Sequence, residues 1–244
     1  MIYSEIIQPS VKIVTPESEL RAAISKIADM GRICYQSVPK GNFEEDEKFV
    51  RTLVERQHES VLEHGTMTVV FVTDRATTHQ LVRHRLASYS QESQRYCNYS
   101  LGKFDSKVQY VLPVSYSKWN GLCKDEFAAS LSSASTMYGI LLENGVKPED
   151  ARSVLPQCTK TQIAVTANFR EWRTIAKLRC AKNAQASIRA LMCTLVKATT
   201  PVLDSIWSGI EMYTDDIECY RVDVEYKNQS ENKKDESQAD TKGA

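Results

Sequence analysis

The run Thr66-Met67-Thr68-Val69-Val70-Phe71-Val72-Thr73 constrains the fold of this chain more than any other segment. Its β-branched and aromatic side chains suit a pleated, half-buried surface and crowd the turns of a helix, so residues 66–73 predict a strand. Asp74 follows at once, a short acceptor side chain suited to capping a helix N-terminus. The helix is expected to run through Gln80 and Arg83 towards Leu86. On it Gln80, Arg83 and His84 are three and four residues apart and share one face.

This helix leads into the chemically densest stretch of the chain, Arg83 to Tyr96. Three arginines, three serines, two tyrosines and two glutamines fall within fourteen residues. So many donors are costly to bury unless anionic groups receive them. Following an apolar strand and a helix, the segment reads as partly enclosed and built to hold phosphate, more than one group of it.

Other elements surround these two. Val11–Val14 predicts a short strand. Thr15-Pro16-Glu17 then starts a helix, with a hydroxyl cap, proline in the first turn and acid at the positive end of the dipole. A second helix is expected over residues 45–57, and a strand over 107–112, stopped by Pro113. A long helical region spans about 117–144, and Pro148-Glu149-Asp150 restarts a short helix. Residues 161–166 read as extended, 169–179 as helical, and 183–198 as a helix that Pro201 breaks or kinks. Residues 217–226 alternate like a late strand. The fold class is α+β, a single domain over residues 1–226 with a modest, mainly antiparallel twisted sheet flanked by long helices. Residues 227–244 are expected to be a disordered polar tail.

Charge is balanced, with 31 basic and 31 acidic residues among 244. This argues against a bulk nucleic-acid coat or a membrane-surface polycation and makes the basic character local. No apolar stretch approaches the roughly 20 residues needed to span a bilayer, and the first residues lack the pattern of a signal peptide. Seven cysteines are scattered without a C-x-x-C pair, which indicates neither a disulfide framework nor a zinc ribbon. A cytoplasmic protein is expected.

Several clusters could carry chemistry. Cys97 is the one cysteine in plainly basic company, but small packing cysteines are common and no nucleophile is assigned. His58 and His64 are six apart, and His79 and His84 five apart; neither pair shares a helical face as the zincin spacing requires, so no metal is expected. There is no G-x-G-x-x-G or Walker sequence. Any pyrophosphate must be held by side chains and helix N-termini, a task for which the planar arginine fork is well suited. Arg152, Arg170 and Arg179 lie in further polar clusters that can converge with the first.

Read in order, Arg83-His84-Arg85-x-x-Ser88-x-x-x-x-Ser93-x-Arg95-Tyr96 resembles the signature of the flavin-dependent thymidylate synthases (the ThyX family). The resemblance extends to Gln57-His58-Glu59-Ser60 and Glu63-His64, to residues 151–156, to Thr166-x-Asn168-x-Arg170-x-Trp172, and to Leu178-Arg179 and Ala184-Gln185. It covers about residues 11–225. It implies reductive methylation of deoxyuridylate (dUMP) to thymidylate (dTMP), with 5,10-methylenetetrahydrofolate as carbon donor, FAD as hydride carrier and NADPH as reductant of the flavin. It further implies a homotetramer with active sites at subunit interfaces.

Carried over by position, Ser60, Arg83, His84, Arg85, Gln91, Asn168, Arg170 and Thr174 should contact FAD. Gln80, Arg83, Gln91, Glu92, Ser93, Gln94, Arg95, Arg152 and Arg179 should contact dUMP, and His58 should lie near flavin and folate. Many members have asparagine, then glutamate, where this chain has Ser90 and Gln91, and Thr174 replaces a common histidine or asparagine; all three can still hydrogen-bond. Arg179 is the expected catalytic residue, a fixed cation that favours the N3 anion of uracil. The competing reading is an RNA or single-stranded nucleic-acid binding protein that uses residues 83–99, with Arg83, Arg85 and Arg95 on phosphates and Tyr89, Tyr96 and Tyr99 stacking on bases.

Overall fold

The computed structural model describes residues 2–38 and 41–224, and the expected tail over residues 227–244 lies outside them. In chain order the strands are β1 (Tyr3–Ile7), β2 (Ser10–Ile13), β3 (Thr66–Asp74), β4 (Ala87–Gln91), β5 (Lys107–Val111), β6 (Lys160–Asn168) and β7 (Arg221–Val224). The helices are α1 (Glu17–Tyr35), α2 (Phe43–Glu55), α3 (Arg75–Leu81), α4 (Gly121–Glu143), α5 (Pro148–Ala151), α6 (Phe169–Arg179) and α7 (Ala186–Trp207).

The run of β-branched residues does become the centre of the sheet. Five strands lie in the order β4-β6-β3-β2-β7, and β1 pairs with β5 separately. Along β3, Met67, Val69 and Phe71 point inward, opposite Ala167, Val165 and Ile163 of β6. The pairings β4–β6, β6–β3 and β3–β2 are antiparallel, whereas β2–β7 and β1–β5 are parallel. The architecture is thus a single α+β domain with a mixed sheet whose pairings are mainly antiparallel. Both parallel pairs join strands far apart in sequence, as parallel pairing requires.

Helices α1, α2, α6 and α7 cover the inner face. Leu20, Ile24 and Ile27 of α1, Leu53 of α2, Trp172 and Ile175 of α6, and Ile188 and Leu191 of α7 are all at most 2 % exposed. The indole of Trp172 donates to the Met67 carbonyl at 3.0 Å, which fixes α6 to the central strand. A second apolar cluster gathers Ile2, Tyr99, Val108, Tyr110, Leu131 and Tyr138 around α4.

Three expectations fail for identifiable reasons. Helix α3 ends at Leu81, not near Leu86, so Arg83 and His84 sit in a turn and share no helical face with Gln80. The Tyr89 hydroxyl lies within hydrogen-bond distance of the carbonyls of Leu81 (2.8 Å) and His84 (2.6 Å), and a helix continued to Leu86 would have needed the Leu81 carbonyl for itself. Thr15 does not cap α1; its hydroxyl accepts from the Thr68 amide at 2.8 Å and ties the helix entry to β3. Helix α4 starts only after Asn120, whose side chain accepts from the Cys123 amide at 2.8 Å. Helix α7 bends as its proline predicts, with Leu203 at φ −118° two residues beyond Pro201. Among the described residues no helix is long and apolar enough to cross a membrane.

Candidate functional site

Helix α6 is the axis of the site, and its N-terminal half gathers one set of predicted residues. Asn168 caps the helix, its side-chain oxygen accepting from the Glu171 amide at 2.9 Å, which leaves the amide NH2 as a donor. One turn on, Arg170 pairs with Glu63 at 2.6 Å, and the hydroxyl of the exposed Thr174 donates to the Arg170 carbonyl. Ser60 lies on the 3₁₀ turn Glu59–His64, which α6 holds tightly. Arg173 and Lys177 both grip the Glu59 carboxylate, at 3.1 and 3.0 Å. Burial works against the Glu59 charge, but the hydrogen bonds from Lys177 and Arg173 outweigh it and hold the carboxyl below its usual range.

Gly65 allows this approach. A Cβ there would lie 2.7 Å from the Phe169 ring. The Gly65 carbonyl accepts from the Phe169 amide at 3.0 Å. Ser60, Asn168, Arg170 and Thr174 therefore belong to one structural unit.

At the other end of α6, Arg179 is its last residue. Its Nε donates to His84 Nε2 at 3.0 Å, and one Nη donates to the Gln80 carbonyl at 3.1 Å. The Gln80 side chain in turn donates to that of Gln185, just before α7. His84 is 6 % exposed, and burial, then the Arg179 charge, push its pKa down to about 4. Burial also raises the pKa of Glu171, whose carboxylate is 3.8 Å from His84 Nδ1. That pair is not an ion pair: a ring nitrogen accepting from Arg179 needs its lone pair, so the imidazole is neutral. Arg83 and Arg85 flank this cluster, exposed and without a polar partner among the described residues.

The third set is built on and after β4, a strand the sequence conceals because its residues, Ala87-Ser88-Tyr89-Ser90-Gln91, are mostly polar. Gln91 points inward and donates to Thr78 and Thr161 at 3.0 and 3.2 Å. Glu92 accepts from Lys160 at 2.8 Å and from the Tyr99 hydroxyl at 2.9 Å. The Ser93 hydroxyl accepts from the Arg95 amide at 3.3 Å. Gln94 is buried with its Nε2 lacking a partner. Arg95 reaches Glu149 at 3.2 Å, where Arg152 donates to the backbone carbonyl at 3.0 Å.

Arg95 and Arg152 thus meet, but among the described residues no hydrogen bond or ion pair joins this set to Arg179. His58 also stands apart, exposed, bonded to the Tyr35 hydroxyl at 2.6 Å. Residues that pattern did not single out are Glu171, facing His84, and the Glu59–Arg173–Lys177 anchor. A groove of about 490 Å³ beside the end of α6 is lined by Lys177, Cys180, Lys182, Glu211, Met212 and Tyr213, with none of the predicted ligand residues. Among the described residues no group of three or more His, Cys, Asp or Glu could hold a metal ion.

Known proteins share this arrangement of segments. The model of the family described as Thymidylate synthase complementing protein matches residues 18–203. A flavin-dependent thymidylate synthase of Geobacter sulfurreducens is 37 % identical over 199 residues, covering 78 % of this chain and 82 % of its own. The chain belongs to the flavin-dependent thymidylate synthase family.

Another relative of that name, from a Mycobacterium species, is 31 % identical over 220 residues, covering 81 % of this chain and 84 % of its own. One from Pyrococcus horikoshii is 44 % identical over 133 residues, 54 % of each chain. The fold is also that of a solved structure titled a UMP/dUMP methylase PolB from Streptomyces cacaoi bound with 5-Br dUMP. Its TM-score is 0.67 at 21 % identity, covering 86 % of this chain and 98 % of that one. Family membership makes the chain an enzyme and accounts for the arginine- and tyrosine-rich segment without a nucleic-acid-binding role.

Proposed function

We propose that this enzyme methylates dUMP to dTMP in the cytoplasm, with FAD as cofactor and 5,10-methylenetetrahydrofolate and NADPH as co-substrates, in a homotetramer whose sites lie between subunits. The observation that carries the reading is the Arg179 guanidinium, held by His84 and the Gln80 carbonyl beside two arginines with no internal partner. The donor set fits a flavin dinucleotide: Arg83 and Arg85 offer paired N–H groups to a pyrophosphate, and Arg170 and the free amide of Asn168 lie on the unit that also carries Ser60 and Thr174. Bound FAD supplies hydride chemistry that no side chain offers.

The protein's own part is positioning and charge. Arg179 stays protonated even though burial lowers its pKa. Placed against the N3–O4 edge of uracil, it favours the ring anion and so raises the nucleophilicity of the ring carbon. Among the described residues no hydrogen bond or ion pair joins the Gln91–Arg95 and Arg152 set to Arg179, which supports the set's serving a neighbouring subunit's site. The buried, unpartnered Gln94 amide and the exposed Arg95 belong to that set. In this reading His58, exposed on its turn, lies near flavin and folate.

An absorption spectrum tests the cofactor directly. Purified protein incubated with FAD and then desalted should keep flavin bands, and these should shift when dUMP is added. A colourless product without flavin fluorescence would overturn the reading.

A further inference from the structure

His84 stands in the middle of an arginine-rich ligand segment, yet it is buried and most of its polar groups bond within the fold. Its amide donates to the Leu81 carbonyl at 3.1 Å, and its carbonyl accepts from the Tyr89 hydroxyl at 2.6 Å. Nε2 accepts from Arg179 at 3.0 Å, and Nδ1 lies 3.8 Å from Glu171. The ring is 6 % exposed, and Nδ1 is its one polar group without a hydrogen bond. Its neighbours Arg83 and Arg85 are exposed. One short motif therefore alternates outward donors with an inward acceptor.

We propose that His84 is a positioning residue for the activating arginine: its Nε2 fixes the Arg179 guanidinium in the orientation that meets the pyrimidine, and Glu171 holds the ring in the accepting tautomer. This rests on the reading of Arg179 as the activating cation.

The geometry supports it in three steps. First, a guanidinium has five N–H donors and no acceptor. Nε goes to His84 and one Nη2 proton to the Gln80 carbonyl, which leaves both Nη1 protons and the other Nη2 proton without a partner among the described residues. Second, an accepting Nε2 puts the ring proton on Nδ1, the atom nearest the Glu171 carboxylate. Third, a protonated ring would oppose Arg179 with another N–H, and burial together with the arginine charge keeps it neutral to about pH 4. The charged and titratable side chains facing the ring are Arg179 and Glu171, both from α6; the Tyr89 hydroxyl of β4 meets only its carbonyl. Arginine has many rotamers, and a cation that must be in place before the reaction gains from being fixed in advance.

The test reads ionisation of the nucleotide rather than turnover. FAD-loaded enzyme is titrated with pH in the presence of 5-fluoro-dUMP, and the 19F shift reports N3 ionisation of the bound base. Wild type and His84→Gln, whose amide oxygen can reach the Nε2 position, should both favour the anion relative to free nucleotide. His84→Leu should weaken that preference by about tenfold in the ionisation constant, within the range one nearby charge supplies. Its kcat should fall about tenfold, while KM for dUMP and FAD retention stay within about threefold.

Wild-type ionisation in His84→Leu overturns the proposal, as does equal impairment of the Leu and Gln variants. If His84→Leu does not load FAD, His84→Asn replaces it, because its shorter amide leaves the Nε2 position empty; equal ionisation in the Asn and Gln variants then overturns the proposal. Arg179→Ala separates the two levels. If it keeps wild-type ionisation, Arg179 is not the activating cation and the underlying reading falls. If it loses the preference while His84→Leu retains it, only the role of His84 falls.

Discussion

Arginines serve opposite purposes in two regions of this molecule. At the α6–α7 corner, Arg173 and Arg189 are each 3 % exposed. Arg173 binds Glu59 and the carbonyls of Ile206 and Ser208, and Arg189 binds Asp216 at 2.6 and 2.7 Å and the carbonyls of Lys182 and Ala184. In the turn after α3, Arg83 and Arg85 are exposed and have no such partner among the described residues. Buried donors must be satisfied within the fold, and of these two arginines only the Arg189 Nε is left without a partner, so the first region is nearly complete in a single chain. The second has capacity to spare, which is what an anionic ligand needs. Arg179 belongs to both, with part of its guanidinium committed inside and the rest left outside.

The largest effect expected from this contrast is on folding. Arg173→Ala leaves Glu59 held by Lys177 alone and removes the donor to the carbonyls of Ile206 and Ser208, and should destabilise the protein by about 3–5 kcal/mol in chemical denaturation. A loss below about 1 kcal/mol would break the contrast at its internal end. Arg83→Ala should do the reverse: stability within about 0.5 kcal/mol of wild type, but ligand affinity about tenfold to hundredfold weaker, as expected for a charge-assisted hydrogen bond. Calorimetric titration with dUMP and flavin fluorescence with FAD measure it, and unchanged affinity for both would break the contrast at its external end.

The smallest effect lies between the two regions, at Asn168. Asn168→Ala should lose about 1 kcal/mol with the helix cap, whereas Asn168→Asp should keep the cap. Both should bind FAD more weakly, because both remove the amide donor. Full FAD affinity in Asn168→Asp would show that Asn168 only caps the helix.

The fold was legible wherever one local pattern decided the outcome. The β-branched run at β3 and the span of α6 are legible because side-chain period and capping act over a few residues. β4 was hidden because Tyr89 and Gln91 face inward as polar groups, with partners on α3, β6 and the following turn that no window reveals. The end of α3 was misplaced for the same reason, since Tyr89 competes from another element for its carbonyls. Among candidate site residues, the resemblance names Asn168, Arg170 and Arg179, which the fold strings along α6. It could not find Glu171 behind His84, because that relation depends on how the turn folds back over α6.

Gly65 acts as a gauge block for the unit that carries Ser60 and Arg170. The absence of one methyl group there sets the clearance between the Ser60 turn and the ring of Phe169, and any larger residue would open the gap. Ser60 and Arg170 would then drift apart while each kept its own chemistry. The fault would surface as a poorer fit to one molecule spanning both, so tolerance at this position is set by a dimension rather than by a reactive group.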